Sequence, residues 1–175
     1  MLLAQLKNKD HKAALTLIEE HYKQVYYFLF KLCKDKETAQ DLTQETFIKV
    51  WDKIESFNGN SRFSTWIYRI SYNIFIDYTR MNKLNTITID DPELYSAIEC
   101  VDKVNDKVYL KLEYETIKKA VDNLSDKYKE VILMYYEDDL SYQEISIILN
   151  IPKGTVKSRI NGGISELRNK LKVNY

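Results

Sequence analysis

Apolar residues recur every three to four positions along most of the 175 residues, and only 4 glycines and 2 prolines interrupt them. So few turn-formers between long runs of 3.6-residue periodicity leave one main way to bury the apolar faces, as helices joined by short turns. Residues 11–33 and 37–55 read as two helices. The second opens at Thr38 with Asp41 three residues on, a capping-box-like start. Phe57-Asn58-Gly59-Asn60-Ser61 carries turn chemistry, and a long helix is predicted over 64–83. The stretch 84–106 loses clean periodicity and contains Asp90-Asp91-Pro92 and the β-favouring Thr86-Ile87-Thr88-Ile89. It reads as a linker with at most a short helix. Leu110, Tyr114, Ile117, Val121 and Leu124 restore a helical stripe, and three shorter helices follow over 126–137, 141–149 and 154–171. The expected fold is all-α: two small helical domains tied by an acidic connector.

Charge distribution says more than the formal net charge of zero. Residues 90–123 carry nine acidic side chains against five basic, a net of −4. Residues 151–175 carry Lys153, Lys157, Arg159, Arg168, Lys170 and Lys172 against Glu166 alone, a net of +5. A basic C-terminal module behind an acidic middle points to an anionic partner for the former. No apolar run is long enough to cross a membrane and no secretory signal is visible, so no membrane insertion and a cytoplasmic location are expected. Cys33 and Cys100 lack metal-binding spacing and His11 and His21 sit far from both, so no metal site and no cofactor are expected. No paired catalytic carboxylates, nucleophile–base set or glycine-rich phosphate loop appears, which argues against an enzyme and leaves no catalytic residue to name.

The C-terminal pattern is that of a helix-turn-helix. Ser141 and Glu144 form an S-x-x-E capping box, and Ile145, Ile148 and Leu149 give the first helix its apolar face. Pro152 and Gly154 end that helix and turn the chain, and Thr155 is placed to cap the next. There Val156, Ile160, Ile164, Leu167 and Leu171 fall on one side. Ser158, Asn161, Gly162 and Ser165 fall on the other, with Lys157 and Arg159 flanking. Small polar residues let such a helix approach a major groove while flanking cations meet phosphates. The same pattern also suits an αα-hairpin that merely packs.

A second unusual stretch runs from Gly59 to Asn73. Projected at about 100° per residue, Phe63, Ile67, Ile70, Ile74 and Met81 make a core stripe. Arg62, Trp66, Arg69, Asn73 and Arg80 make another about a quarter-turn away. Guanidinium groups, a large π-face and an amide are the set that holds phosphates and stacks unpaired bases. Trp66 taken alone suits a core position equally well, and Tyr68, Tyr72 and Phe75 read as structural. On the preceding helix Ala39, Leu42, Thr46, Val50 and Ile54 make the buried side. Asp41, Gln44, Glu45, Ile48 and Asp52 line another face, with Trp51 at its edge. That face is either simply solvated or docks a basic protein surface.

The run Ala39-Gln-Asp-Leu-Thr-Gln-Glu-Thr-Phe-Ile-Lys-Val-Trp51 resembles region 2.2 of bacterial extracytoplasmic-function (ECF) sigma factors. Phe63-Ser-Thr-Trp-Ile-Tyr-Arg-Ile-Ser-Tyr-Asn73, with Asp77 and Arg80, is similar to their regions 2.3 and 2.4. Leu124-Ser-Asp-Lys-Tyr-Lys-Glu-Val-Ile-Leu-Met134 and the helix-turn-helix are similar to region 4. The resemblance implies a sigma factor with region 2 over 1–84, a linker over 85–108 and region 4 over 109–175. It implies that Asp41, Gln44 and Glu45, with Ile48 and Trp51, grip the clamp helices of the polymerase β′ subunit, and that region 4 meets the β flap. It further implies that Asn58, Arg62, Phe63, Trp66, Arg69 and Asn73, with Asp77 and Arg80, open the −10 promoter element. Lys153, Thr155, Lys157, Ser158, Arg159 and Asn161 fall on the part that reads the −35 element. Core RNA polymerase, promoter DNA and an anti-sigma factor are the implied partners. One departure stands out: where the family commonly continues with an Arg-x-Arg-like pair, this chain has Gly162-Gly163-Ile164. Each glycine inside a helix costs about 1 kcal/mol relative to alanine, which bears on the straightness of the helix and on −35 preference. The alternative is a stand-alone helix-turn-helix regulator, which would leave the 39–51 motif without purpose.

Overall fold

The computed structural model describes residues 2–85 and 116–172, and all regular structure among them is helical. The order is α1 (Leu2–Lys7), α2 (His11–Cys33), α3 (Lys36–Lys53), a 3-10 turn (Ile54–Ser56) and α4 (Phe63–Asn85). After the undescribed residues come α5 (116–122), α6 (Asp126–Tyr136), α7 (Tyr142–Leu149) and α8 (Lys153–Lys172). The linker reading of 84–106, Cys100, and the first two residues of the Leu110–Leu124 stripe fall outside the described residues, apart from the end of α4.

Local chemistry fixes the helix ends. Asp10 starts α2 by accepting the Lys12 N–H at 2.9 Å, and Lys34 ends it in the left-handed region at φ 60°. The start of α3 differs from the sequence reading: Asp35 is the cap, taking the Thr38 N–H at 2.7 Å, so Thr38 lies inside the first turn. That bond is also the main reason the exposed Asp35 carboxyl is held below its ordinary pKa. Thr155 is likewise not a cap, because α8 already begins at Lys153 and the Pro152 carbonyl accepts the N–H groups of Thr155 and Val156 at 2.8 and 3.1 Å. The Ser141–Glu144 box at the start of α7 forms as expected, with both reciprocal bonds present.

Helices α2, α3 and α4 pack against one another, with α1 laid across α2 and the 3-10 turn. Helices α6, α7 and α8 make the second unit, and α4 packs on α7, so a single core runs through both. The expected inner face of α3 is buried throughout, as are Ile67 and Ile74 on α4. Met81 and Ile117, assigned to apolar stripes, are instead 65 % and 49 % exposed, because both lie near element ends beyond the packed faces. Burying a side chain such as Phe28, Leu29 or Ile145 contributes about 1.5–3 kcal/mol each, which sets the scale on which the polar contacts below must be judged.

Candidate functional site

Three surfaces carry the residues that the sequence singles out. The first is on α3. Because Ala39, Leu42, Thr43, Thr46 and Val50 take the inner side, Asp41, Gln44, Glu45 and Asp52 are driven to the outside, and Ile48 is 62 % exposed among them. The buried hydroxyls of Thr43 and Thr46 donate to the carbonyls of Ala39 and Leu42 at 2.6 and 2.7 Å, so nothing polar is left unmet beneath the ridge. Glu45 pairs with Lys49 one turn on at 2.8 Å. Trp51 does not project from this ridge. Its ring stacks on His11 with centroids 5.6 Å apart, the Lys9 ammonium lies 5.0 Å from its centre, and Lys9 donates to its carbonyl at 2.6 Å. The hinge between α1 and α2 thus holds Trp51 half-buried.

The second surface is the loop before α4 and the outer side of that helix. Asn58 accepts the Asn60 N–H at 3.1 Å, an Asx turn, and Gly59 sits at φ +78°, where a side chain would be strained. Arg69 and Asn73 are exposed, and Arg80 lies 3.7 Å from Asp77 on its own helix. Arg62 is exposed too, yet its guanidinium is 3.6 Å from Glu144 on α7. Arg62 and Arg80 therefore each have an acidic neighbour. Trp66 and Phe63 are half-buried and close an aromatic triad with Phe57, at centroid distances of 5.1–5.7 Å. The stripe is thus an exposed basic row beside aromatic rings that belong partly to the core.

The third surface is the helix-turn-helix. Asn150 ends α7 in the left-handed region at φ 53°, and the Ser146 hydroxyl donates to the Ile151 carbonyl at 2.6 Å, which locks the turn. On α8, Lys153, Lys157, Ser158 and Asn161 face out, whereas Thr155 and Arg159 are half-buried. The glycine pair has a packing reason. A Cβ on Gly162 would lie 3.0 Å from ring carbons of Tyr128, and one on Gly163 3.0 Å from Ile132 Cγ1. Two glycines let α8 approach α6, and the helix continues unbroken through them. Gly162, expected on the polar side, is half-buried against the Tyr128 ring.

Sequence reasoning missed a fourth group, the polar contacts between the two units. The Tyr72 hydroxyl donates to Glu130 at 2.9 Å, the Thr65 hydroxyl to Glu144 at 3.1 Å, Lys34 lies 2.9 Å from Asp122, and Lys31 donates to Asp138. No signal in the sequence links residues so far apart; only the aromatic excess on α4 hinted that this helix has more than one covered face. Burial raises the Tyr72 hydroxyl, with the Glu130 charge adding to it, and raises the Glu130 and Asp138 carboxyls. Burial would also raise Glu144, but the Ser141 N–H and hydroxyl, the Thr65 hydroxyl and the Arg62 charge outweigh it and hold that carboxyl low.

Among the described residues, no group of three or more His, Cys, Asp or Glu could hold a metal, and no helix is long and apolar enough to cross a membrane. The chain matches the family Sigma-70 region 2 over residues 17–84 and the family Sigma-70, region 4 over residues 114–166. It is 34 % identical over 177 residues to the ECF RNA polymerase sigma factor SigW of Bacillus subtilis (strain 168), covering 97 % of this chain and 95 % of that one. To SigM of the same organism it is 36 % identical over 135 residues, 77 % of this chain and 80 % of that one. Among solved structures, the sigma factor RpoE in complex with the anti-sigma factor NepR from Bartonella quintana is similar at 26 % identity and a TM-score of 0.68, over 95 % of this chain and 99 % of that one. The structure of CnrH in complex with the cytosolic domain of CnrY shares the fold at 19 % identity and a TM-score of 0.70, over 99 % and 97 % of the two chains. With region 2 and region 4 present in order and a relative this similar along its whole length, the chain belongs to the ECF family of RNA polymerase sigma factors.

Proposed function

We propose that this sigma factor acts in the cytoplasm as a dissociable, non-catalytic specificity subunit, with region 2 over 1–84, a linker over 85–108 and region 4 over 109–175. The α3 ridge of Asp41, Gln44, Glu45 and Ile48 docks on the clamp helices of the β′ subunit, and Trp51 braces that ridge from behind. Asn58, Arg62, Phe63, Trp66, Arg69 and Asn73, with Asp77 and Arg80 further along α4, engage and open −10 DNA. Extracting a base from the stack costs a few kcal/mol, and aromatic stacking recovers roughly 1–3 kcal/mol per base. Trp66 and Phe63 offer faces for this at the rim of the core. Lys153, Thr155, Lys157, Ser158, Arg159 and Asn161 read −35 DNA, region 4 meets the β flap, and an anti-sigma factor restrains the free protein. The observation that carries the reading is the α3 ridge, whose acidic and amide side chains are all exposed over a fully satisfied inner face. A solvated surface has no need of an exposed isoleucine at its centre.

Reconstitution with core polymerase tests it. Promoter-specific transcripts are expected from the wild-type chain. Asp41→Lys with Glu45→Lys should weaken core binding at least tenfold while circular dichroism and thermal unfolding stay unchanged. Full core binding by that folded double variant would sink the assignment of the ridge. Tight operator binding without polymerase, and no gain with it, would instead favour the stand-alone regulator.

A further inference from the structure

Gly162 leaves a gap on the outer side of α8, and a neighbouring helix fills it. A Cβ on Gly162 would lie 3.0 Å from two ring carbons of Tyr128 and 3.1 Å from its hydroxyl oxygen. The end of this α6 ring therefore stands where a side chain of residue 162 would project. One turn to either side on α8, at the three- and four-residue spacings that share a face, are the exposed Ser158 and Ser165. Ser158 and the exposed Asn161 belong to the face assigned above to −35 DNA. The Tyr128 hydroxyl thus borders that face although it comes from α6.

Neither this hydroxyl nor its neighbour is satisfied within the protein. Among the described residues no group bonds the Tyr128 hydroxyl, and the ring is only half-buried. Lys127 is exposed, pairs with no carboxylate among those residues, and holds its ammonium 4.8 Å from the centre of the Tyr128 ring. Other charges of α6 are engaged elsewhere: Lys129 lies 3.4 Å from Asp122, and Glu130 accepts from Tyr72 at 2.9 Å. Asp126 precedes Lys127, but residues one and two apart on a helix do not face each other, so its charge is turned away from the hydroxyl. A cation and a hydroxyl donor side by side, with no acceptor in the protein, suit an anionic oxygen from outside.

A helix lying in the major groove reads bases along its centre line and meets the phosphate chains along its edges. An edge position needs reach, which a glycine lacks and which Tyr128 and Lys127 supply from the second helix. Ammonium and hydroxyl donors are ordinary ligands of phosphate oxygens. We infer that Lys127 and the Tyr128 hydroxyl together bind one backbone phosphate beside the −35 element, in the space that Gly162 keeps open. The inference rests on the reading of α8 as DNA-facing. It gives the glycine a second use: the position that lacks a cation of its own makes room for one from α6.

Holoenzyme reconstituted from core polymerase and the full chain tests it, through its affinity for a −35 duplex and for a scrambled duplex between about 50 and 200 mM salt. Tyr128→Phe keeps the ring and its packing, and Lys127→Gln alters an exposed side chain, so unchanged thermal unfolding is expected of both. Each variant should bind roughly three- to tenfold more weakly, to the same extent on both duplexes, as loss of a phosphate bond requires. Lys127→Gln should also lower the slope of log affinity against log salt by about one. Lys23→Gln, which removes the same charge from an exposed position of α2, should leave the slope as it is. A loss confined to the −35 duplex would mean a base contact and would overturn the phosphate assignment. Equal slope changes in Lys127→Gln and Lys23→Gln would be a net-charge effect and would overturn it too. So would weaker binding of core polymerase by either α6 variant, which would place the pair on a protein. Lys157→Gln on α8 is the reference. If it weakens DNA binding and neither α6 variant does, the α6 contact fails alone; if none of the three does, the reading of α8 fails and the inference with it.

Discussion

Gly162 and Gly163 show how differently two neighbouring residues of one type can be constrained. Beyond Gly163 stands Ile132, only 5 % exposed, so a new methyl there meets a side chain with nowhere to go. Beyond Gly162 stands the half-buried end of the Tyr128 ring, which can swing outward. Gly163→Leu is therefore expected to cost about 1–3 kcal/mol through overpacking. Gly162→Ala should be close to neutral, the gain in helix propensity of about 1 kcal/mol offsetting the displaced ring. Thermal unfolding of the two variants checks both; no loss in Gly163→Leu would mean that the α6–α8 approach is not what the pair serves. Spacing alone could not reveal this. In the sequence a glycine pair inside a recognition helix reads as a weakness or a loss of cations, because the partner that fills the space lies 30 or more residues away.

At the scale of the element, the residues that made helices visible were those acting within one or two turns. The Ser141–Glu144 box, the inner face of α3 and the apolar side of α8 could all be read from spacing. Starts chosen by competition between neighbouring caps could not. Asp35 preceded Thr38 as the cap of α3, since a carboxylate immediately before the first turn accepts the orphan N–H more strongly than a hydroxyl inside it. The side chains at the rim of the bundle were also only half legible. Phe63 and Trp66 look identical, as letters, whether they fill a core or line a base pocket, and the structure leaves both half-buried in the triad with Phe57. The capping box supports a prediction of its own. Ser141→Ala removes the acceptor for the Glu144 N–H and should destabilise the chain by about 0.5–2 kcal/mol. A fall in melting temperature accompanied by weaker −35 binding is expected, and an unaltered melting curve would count against the cap.

At the scale of the whole molecule, the packing of the two units is coupled to protonation. Asp138 faces Lys31 on α2 and carries Glu137 beside it, while the Tyr68 ring of α4 is near enough for its hydroxyl to be pushed up to about 12, burial first and the Asp138 charge second. Glu130 faces Tyr72 on α4, Asp126 on its own helix and Arg159 on α8. Burial raises both carboxyls in the folded chain, so the folded form binds more protons than the unfolded one between the ordinary carboxylate range and the raised values. The stability that these two acids contribute should thus be greatest as pH falls below that window and be lost as pH rises through it. Asp122 and Glu144 work in the other direction. Burial opposes their charge, but Lys34 and Lys129 hold Asp122 low, and Ser141, Thr65 and Arg62 hold Glu144 low. Their contribution is present above the ordinary range and is lost below it. Wild type is expected to lose thermal stability as pH rises through that window, and Glu130→Gln with Asp138→Asn should flatten that dependence. Equal losses of stability with rising pH in wild type and in that double variant would contradict the assigned roles of these two acids.

Glu144 divides its labour between its two oxygens. Oε2 meets the Ser141 N–H and hydroxyl at 3.0 and 2.7 Å, while Oε1 reaches across to Thr65 at 3.1 Å. Losing the contact with α4 would therefore strip one oxygen and leave the other at its post, so the start of α7 stays capped whatever happens across the seam.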